Sequence, residues 1–510
     1  MGLPTRDTAW PPPVLAPLLT DISTWAAWYS GQPDELAAAY RTATGGREPV
    51  TRPSQHADGV VGRFARWFWG QPTPAGQQRT KLHVPLAADL ATGSADLLFS
   101  EPPQITTDTD EQEKRKRLDR ILEGAGWESL LPEAAETAAA LTGVYLRIVW
   151  DNSIADHPLI TVVQPDSALP EFAFGQLRAV TFWQVVDRQG QTVTRHLERH
   201  EPGRILHGLY EGTPDRLGRT VPLAEHPSTA GLSVDADQAI ATGATGLTAV
   251  YIPNVRPQRR SKWRNHPLGT HMGRSDLDGI EPALDALDEV YTSWMRDVRL
   301  GKARIIADAD ALTTRGRGQG ADLDLDREVF VGINGMSDGG DGSPITAQQF
   351  AIRAADHEAT ITGLLRRIVP GAGYSPQTFG VDTDGAVATA TEITARERKT
   401  TTTREKKTRY WTPQLRRLLA TLCEVDAHHF GGPGPMDALT LDFGPAGEPT
   451  PLELATTAQA LKGAQAASTE TLVRLVHPDW TPDQVAEEAA AILAESSIDV
   501  PALGVLPGQE

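Results

Sequence analysis

Residues 276–300 read "DLDGIEPALDALDEVYTSWMRDVRL", and the spacing of their apolar side chains decides the architecture. Leu277, Ile280, Leu284, Leu287, Tyr291, Trp294 and Val298 recur every three or four positions, which predicts a helix with one narrow apolar stripe. Ser275 with Asp278 three residues on resembles a capping box, and Pro282 is tolerated only near a first turn. At 1.5 Å per residue the helix would span about 37 Å. A second helix answers it in "SPITAQQFAIRAADHEATITGLLRRIVPG". There Ser343 and Pro344 make an N-cap and N1 pair, and Phe350, Ala354, His357, Ile361, Leu364 and Ile368 keep a four-three spacing until Pro370 and Gly371. Between them lie strand-like runs, "KARIIADADAL" and "REVFVGINGM", around the gap "TTRGRGQGADLDLD". This predicts a helix going out, a small β-rich tip and a helix coming back. Narrow stripes leave such a pair underpacked alone, which points to packing against copies of itself.

Upstream, "DISTWAAWYSGQPDELAAAYR" reads as short helices with Ser23 and Asp34 near their starts, and Trp10, Trp25, Trp28, Trp67 and Trp69 read as packing residues. A helix is expected over 86–98, ended by Pro102 and Pro103, with a short strand after it. The Lys114–Arg115–Lys116–Arg117 run, flanked by Asp110, Glu111, Glu113 and Asp119, reads as a solvated helix face. From Val144 the period changes to two: "VYLRIVWDN", "LITVVQPD", "AVTFWQVVD", "QTVTRHLERH", "RILHGLYEG" and "TAVYIPNV" predict an antiparallel sheet region, hence an α+β body.

Downstream, residues 370–387 form a glycine-rich stretch expected to be a functional loop. The helix after it is unusual. Residues 396–409 hold seven Lys or Arg against Glu397 and Glu405, with Thr400, Thr401, Thr402 and Thr403 in the middle. Trp411, Leu415, Leu418, Leu422 and Val425, with Cys423 beside them, restore an apolar face only in its second half. The polar half is therefore expected to face neighbours or an open space. The C-terminus reads as a small helical cap with Thr481 and Pro482 opening its last helix, followed by a loose tail.

The chain has 510 residues, 40% of them apolar, which allows more than one core. One cysteine excludes an internal disulfide framework and fits assembly in a reducing cytoplasm. No secretory signal and no membrane-spanning helix is read. A net charge of −18 disfavours bulk affinity for DNA without excluding a protein that encloses DNA and does not hold it, and by itself it is mostly a statement about solubility. Gly301-Lys302 lacks the upstream glycine of a phosphate loop. The "DTDG" at 382–385 echoes a calcium loop, but Ile393 stands where the bidentate glutamate is required. The "DGGDG" at 338–342 reads as a flexible turn. Adjacent His428 and His429 point about 100° apart on a helix, so no metal site is expected, nor any cofactor or enzymatic activity.

The ordered set, carried by "ADLLFSEPP", "GRSDLDGIEPALDALDEVYTSWMRDVRLGKARI" and "ATATEITARERKT", resembles the portal protein of tailed double-stranded-DNA bacteriophages over roughly residues 84–430. The resemblance implies a portal-like elongated subunit. Its parts would be an α/β wing (1–275), a two-helix stem (276–300 and 346–369), a small β-rich clip (301–345), a tunnel loop (370–387), a long wing helix and return (388–445), and a helical C-terminal crown with tail (446–510). It further implies a homo-oligomeric ring of about twelve copies at one capsid vertex of the virion, assembled in the bacterial host cytoplasm. Its partners would be the double-stranded DNA passing through, the terminase large subunit, the head-completion (adaptor) protein, and the major capsid and scaffolding proteins. Gly371, Gly373, Tyr374, Gln377, Phe379, Gly380, Asp382 and Asp384 would line the tunnel. Arg396, Arg398, Lys399, Arg404, Lys406 and Lys407 would face a neighbouring subunit or DNA, with the neighbour favoured. Arg315, Arg317, Asp322, Asp324 and Asp326 would dock the motor. The alternatives are another oligomeric capsid or tail-scaffold protein without a channel and, less favoured, a soluble hydrolase.

Overall fold

The computed structural model describes residues 2–43, 82–107, 111–300, 304–307, 313–314, 321–322, 345–348, 352–381, 390–437, 439–444, 451–477 and 480–498. The chain divides into two compact units, Met1–Phe443 and Gly444–Glu510.

The first unit is α+β and is organised by a three-stranded antiparallel sheet in the order β10 (Ala249–Pro253), β2 (Gly143–Val149), β3 (Leu159–Val163). Alternation along β2 and β10 sends side chains to two different cores. Tyr145 and Tyr251 join one with Trp25, Trp28 and Leu18 of helix α1 (Ala16–Ser30) and Leu90 of α3 (Leu86–Phe99). Val144, Leu146, Ile148, Val250 and Ile252 join the other with α4 (Gln112–Gly124) and α5 (Trp127–Leu141). Between α1 and α3, α2 spans Pro33–Ala43. Helix α1 begins well before the expected Ser23, because the register that buries Leu18 and Ile22 beside Trp25 needs the earlier turn.

The β-rich region forms two sheets where one sheet region was expected. The second is a meander of β4 (Ala168–Ala173), β5 (Gln176–Gln189), β6 (Thr192–Glu201), β7 (Arg204–Thr213) and β8 (Arg216–Val221), with β9 (Ala239–Ala241) on β7. Trp10 packs on it with Leu197, Tyr210 and Leu217. Glu198 is buried in this sheet between Arg147 (2.7 Å) and His200 (2.7 Å). Burial would raise its carboxyl, but the His200 hydrogen bond and the Arg147 charge hold it well below the usual range. Next to it, His207 and His196 approach to 3.1 Å, and burial pushes His207 down to about 4.

Helix α6 spans Glu281–Leu300 and α7 spans Ala354–Ala372. They pair through Asp297, which receives hydrogen bonds from Arg353 (3.0 Å) and His357 (3.0 Å), and through stacking of Trp294 on His357. Both differ from the expected bounds. Gly279 at φ 91° interrupts any helix from 276, and Glu281 accepts its N–H at 2.7 Å, so the helix starts there. Residues 345–348 are the strand β14, paired with β11 (Arg304–Ala307), so the returning helix starts later. A second short pair joins β12 (Thr313–Thr314) to β13 (Ala321–Asp322).

The helix with the basic half is α8, Ala390–Phe430, 41 residues long or about 61 Å. Its second half seats Trp411, Leu415, Leu418, Leu422 and Val425 in the second core, where Cys423 is also buried. Burial and the nearby Asp426 push the Cys423 thiol up to about 12. Arg117 leaves the expected solvated face of α4 and pairs with the buried Asp426 at 2.6 Å. A short two-stranded sheet joins β1 (Gln104–Thr106) to β15 (Thr440–Asp442). The second unit holds α9 (Pro451–Gly463), α10 (Thr469–Val476) and α11 (Pro482–Ile498), the last two packed through Val473, Val485 and Ala489. Thr481 and Gln484 cap α11 reciprocally.

His207 takes up its proton near pH 4 when folded and near 6.5 when unfolded, so the unfolded chain binds more protons between these values. Stability is expected to fall as pH drops from 6.5 to 4, by on the order of 3 kcal/mol from this group. Thermal midpoints measured across that range should show a shallower fall in His207→Leu than in the wild type; parallel curves would assign the titration elsewhere.

Candidate functional site

Three distant parts of the sequence meet at Lys407. Its ammonium donates to Asp276 Oδ2 (2.6 Å), Ser94 Oγ (2.6 Å) and Tyr374 Oη (2.9 Å), and Tyr374 donates to the same Asp276 oxygen at 2.6 Å. Asn254 Nδ2 donates to the other Asp276 oxygen at 2.8 Å. Lys407 is 1% exposed and Asp276 6%, so both charges are withdrawn from water. Burial lowers the Lys407 ammonium, and the Asp276 carboxylate opposes that drop. Burial, with Asp276 alongside, raises the Tyr374 phenol well above its ordinary value.

The neighbouring turns of α8 hold the same segment. Thr403 donates to the Gly373 carbonyl at 2.6 Å, and Thr400 Oγ1 accepts the Ser375 N–H at 2.8 Å. Arg404 donates to the carbonyls of Leu97 (2.6 Å) and Phe443 (2.8 Å). Thr400, Arg404 and Lys407 continue backwards the four-three spacing of Trp411, Leu415 and Leu418, and all three are buried. Arg404 and Lys407 therefore do not face a neighbour or DNA, as the sequence reading had them. They brace their own subunit.

The stretch taken as a tunnel loop is partly structured. Helix α7 runs through Pro370 and Gly371 to Ala372. Gly371 serves close packing, since a Cβ there would stand 2.6 Å from Ile280 Cγ2. Gly373, at φ 114°, caps the helix in the left-handed region. A 3-10 turn at Pro376–Phe379 follows and ends on Gly380, at φ 69°. Tyr374 is 1% exposed, and Phe379 packs edge-on against it and over Gly93 of α3. Tyr374 thus belongs to the protomer core and is not channel-lining, whereas Phe379 is half-buried and packs against that core. Gln377 is half-buried and Gly380 exposed. Asp382 and Asp384 lie outside the described residues, as do Arg315, Arg317, Asp324 and Asp326. Asp322 lies in β13, and Arg396 in α8, with side chains outside the description.

The remaining helix cations line a groove of about 740 Å³ over the end of α7. Arg398, Lys399 and Lys406 come from α8, and Arg259 and Arg274 from the chain between β10 and α6. Lys399 donates to the Pro370 carbonyl. Among the described residues no carboxylate lines the groove and none of these five cations is in an ion pair, although the charges of Asp278 and Asp276 reach Arg274. Burial, and then the charge of Arg259, lower both Arg274 and Lys399. Sequence reading missed Asp276, Ser94, Arg259 and Arg274 as members of this region.

The profile of the phage portal proteins, SPP1 Gp6-like, matches residues 66–500. The chain belongs to that portal protein family. Solved structures similar to this portal protein include the virion of a native gene transfer agent particle, at 15% identity and TM-score 0.39, with 82% of this chain and 99% of that chain covered. A second is the neck of an empty gene transfer agent particle, at 16% identity and TM-score 0.40, covering 86% and 97%. No curated protein sequence matches the chain.

Lys407→Met leaves Asp276 buried without its cation and is expected to cost about 3–5 kcal/mol, read as a lowered denaturant midpoint. Pairing it with Asp276→Asn should recover part of that loss; equal instability of both variants would show that the pair is not the source. Gly371→Ala should cost about 1–3 kcal/mol in the same assay, although alanine is the better helix former.

Proposed function

We propose that this portal family member is the subunit of a ring-shaped channel through which double-stranded DNA is packaged into a capsid and later released. Family membership over residues 66–500 carries the reading. Helices α6 and α7 are assigned to the stem, the β11–β14 and β12–β13 pairs to the clip, and the sheets with their flanking helices to the wing. The three helices of the second unit are assigned to the crown. The ring has about twelve copies, a closed assembly built from one repeated heterologous contact. It sits at a vertex of the virion. Its clip meets the terminase large subunit during packaging and the head-completion protein afterwards, with the major capsid and scaffolding proteins around the wing.

The channel is passive, and force is supplied by the motor. Duplex and wall must slide, so contacts have to be weak and spread out. Gln377, Gly380, Asp382 and Asp384 are the proposed wall residues. The hub at Lys407 anchors the chain immediately before them: Tyr374 is fixed to α8 and to Asp276. A load on the wall is therefore passed into the wing rather than unravelling α7.

Negative-stain electron microscopy of the purified full chain, with rotational classification of end-on views, tests this. Rings with a central hole wide enough for a duplex are expected. Monomers or dimers alone, at high concentration and with scaffolding protein added, would overturn the channel.

A further inference from the structure

The groove over the end of α7 gathers more positive charge than its described lining residues balance. Arg259, Arg274, Arg398, Lys399 and Lys406 converge on about 740 Å³ with no carboxylate among the described lining residues, and of the five Arg274 feels the charges of Asp278 and Asp276. In a chain of net charge −18 this is a local concentration of the minority sign. Its floor is the last turn of α7, and the Pro370 carbonyl there already receives Lys399. That carbonyl end supplies only partial negative charge. Like charges held together in a half-enclosed site repel one another, and a bound anion relieves them.

We infer that this groove receives a carboxylate-bearing segment of a second copy of this chain, clamped by Arg259, Arg274, Arg398 and Lys406. The inference rests on the ring reading above and names the chemistry of one half of its repeated contact. Two features favour a protein carboxylate over a DNA phosphate. The site is concave, whereas a duplex, stiff over about 50 nm, meets side chains that project and does not fold into a pit on one subunit. The supply of acid is also close at hand, because every other copy carries the same −18. A heterologous ring contact needs two different complementary patches on each copy, and this groove is a cationic one on the described surface.

Arg259, Arg398 and Lys406 are exposed, so their replacement should leave the fold intact. The full chain and the Arg259→Ala/Arg398→Ala/Lys406→Ala variant are compared by mass photometry over a concentration series, with circular dichroism as the folding control. Binding of a labelled DNA duplex is followed by fluorescence anisotropy. The variant is expected to stay folded and to need a protein concentration at least about tenfold higher for half-assembly. Added salt should shift the wild type in the same direction, and duplex binding should not change. Assembly identical to the wild type overturns the inference while leaving the ring reading standing. Loss of duplex binding with assembly unchanged overturns it in favour of a DNA contact. A wild type that forms no oligomer under any of these conditions removes the ring reading, and this inference falls with it. If the variant misfolds, a carbodiimide cross-link between isotopically distinct wild-type copies decides. Lys399 or Lys406 joined to an Asp or Glu of the other copy supports the groove, and links only within one copy overturn it.

Discussion

The ammonium of Lys407, sunk against the carboxylate of Asp276, holds separate segments of the first unit in register. Apolar contact tolerates sliding; a hydrogen-bonded ion pair in a low-dielectric interior does not, since a small displacement leaves a charge without its solvent or its partner. Here all three ammonium protons are donated, and Asn254 and Tyr374 complete the shell around Asp276. Helix α3, the turn before α6, the end of α7 and the middle of α8 are fixed to one point in consequence. None of those segments is adjacent in sequence to all the others.

The sheet of β10, β2 and β3 explains how so long a helix is accommodated. Because both faces of β2 are buried, the sheet separates two cores and leaves each with its own set of helices. The apolar half of α8 belongs to one of them. Its polar half reaches the edge of the other, where Tyr374 lies. A single helix thereby ties the two cores together, apolar at one end and hydrogen-bonded at the other.

Much of this was legible in the sequence where apolar period and turn chemistry agreed: α3, the pair α6 and α7, the apolar half of α8 and the strands that alternate. The boundaries that moved did so for tertiary reasons. Gly279 takes a positive φ that periodicity does not reveal, and residues 345–348 exchange helical bonds for a ladder with 304–307. Pro370 and Gly371 signal a stop locally, yet the helix continues because Gly371 lets it pack against Ile280. The polar half of α8 misled for a plainer reason. Charge and threonine were read as exposure, although the spacing from Thr400 through Arg404 and Lys407 to Trp411 already continued the buried stripe. Asp276 was read as part of a helix start, and its partner stands 131 positions away, a pairing that no local pattern encodes.

Cys423 has a practical consequence. The sequence contains one sulfhydryl, and the second core encloses it with a proton affinity that leaves almost no thiolate at neutral pH. The native surface is therefore silent toward maleimides and mild oxidants. A cysteine introduced at any exposed position becomes the one reactive handle on each subunit, so fluorophores or distance probes can be placed on a repeated assembly without first removing the protein's own thiol.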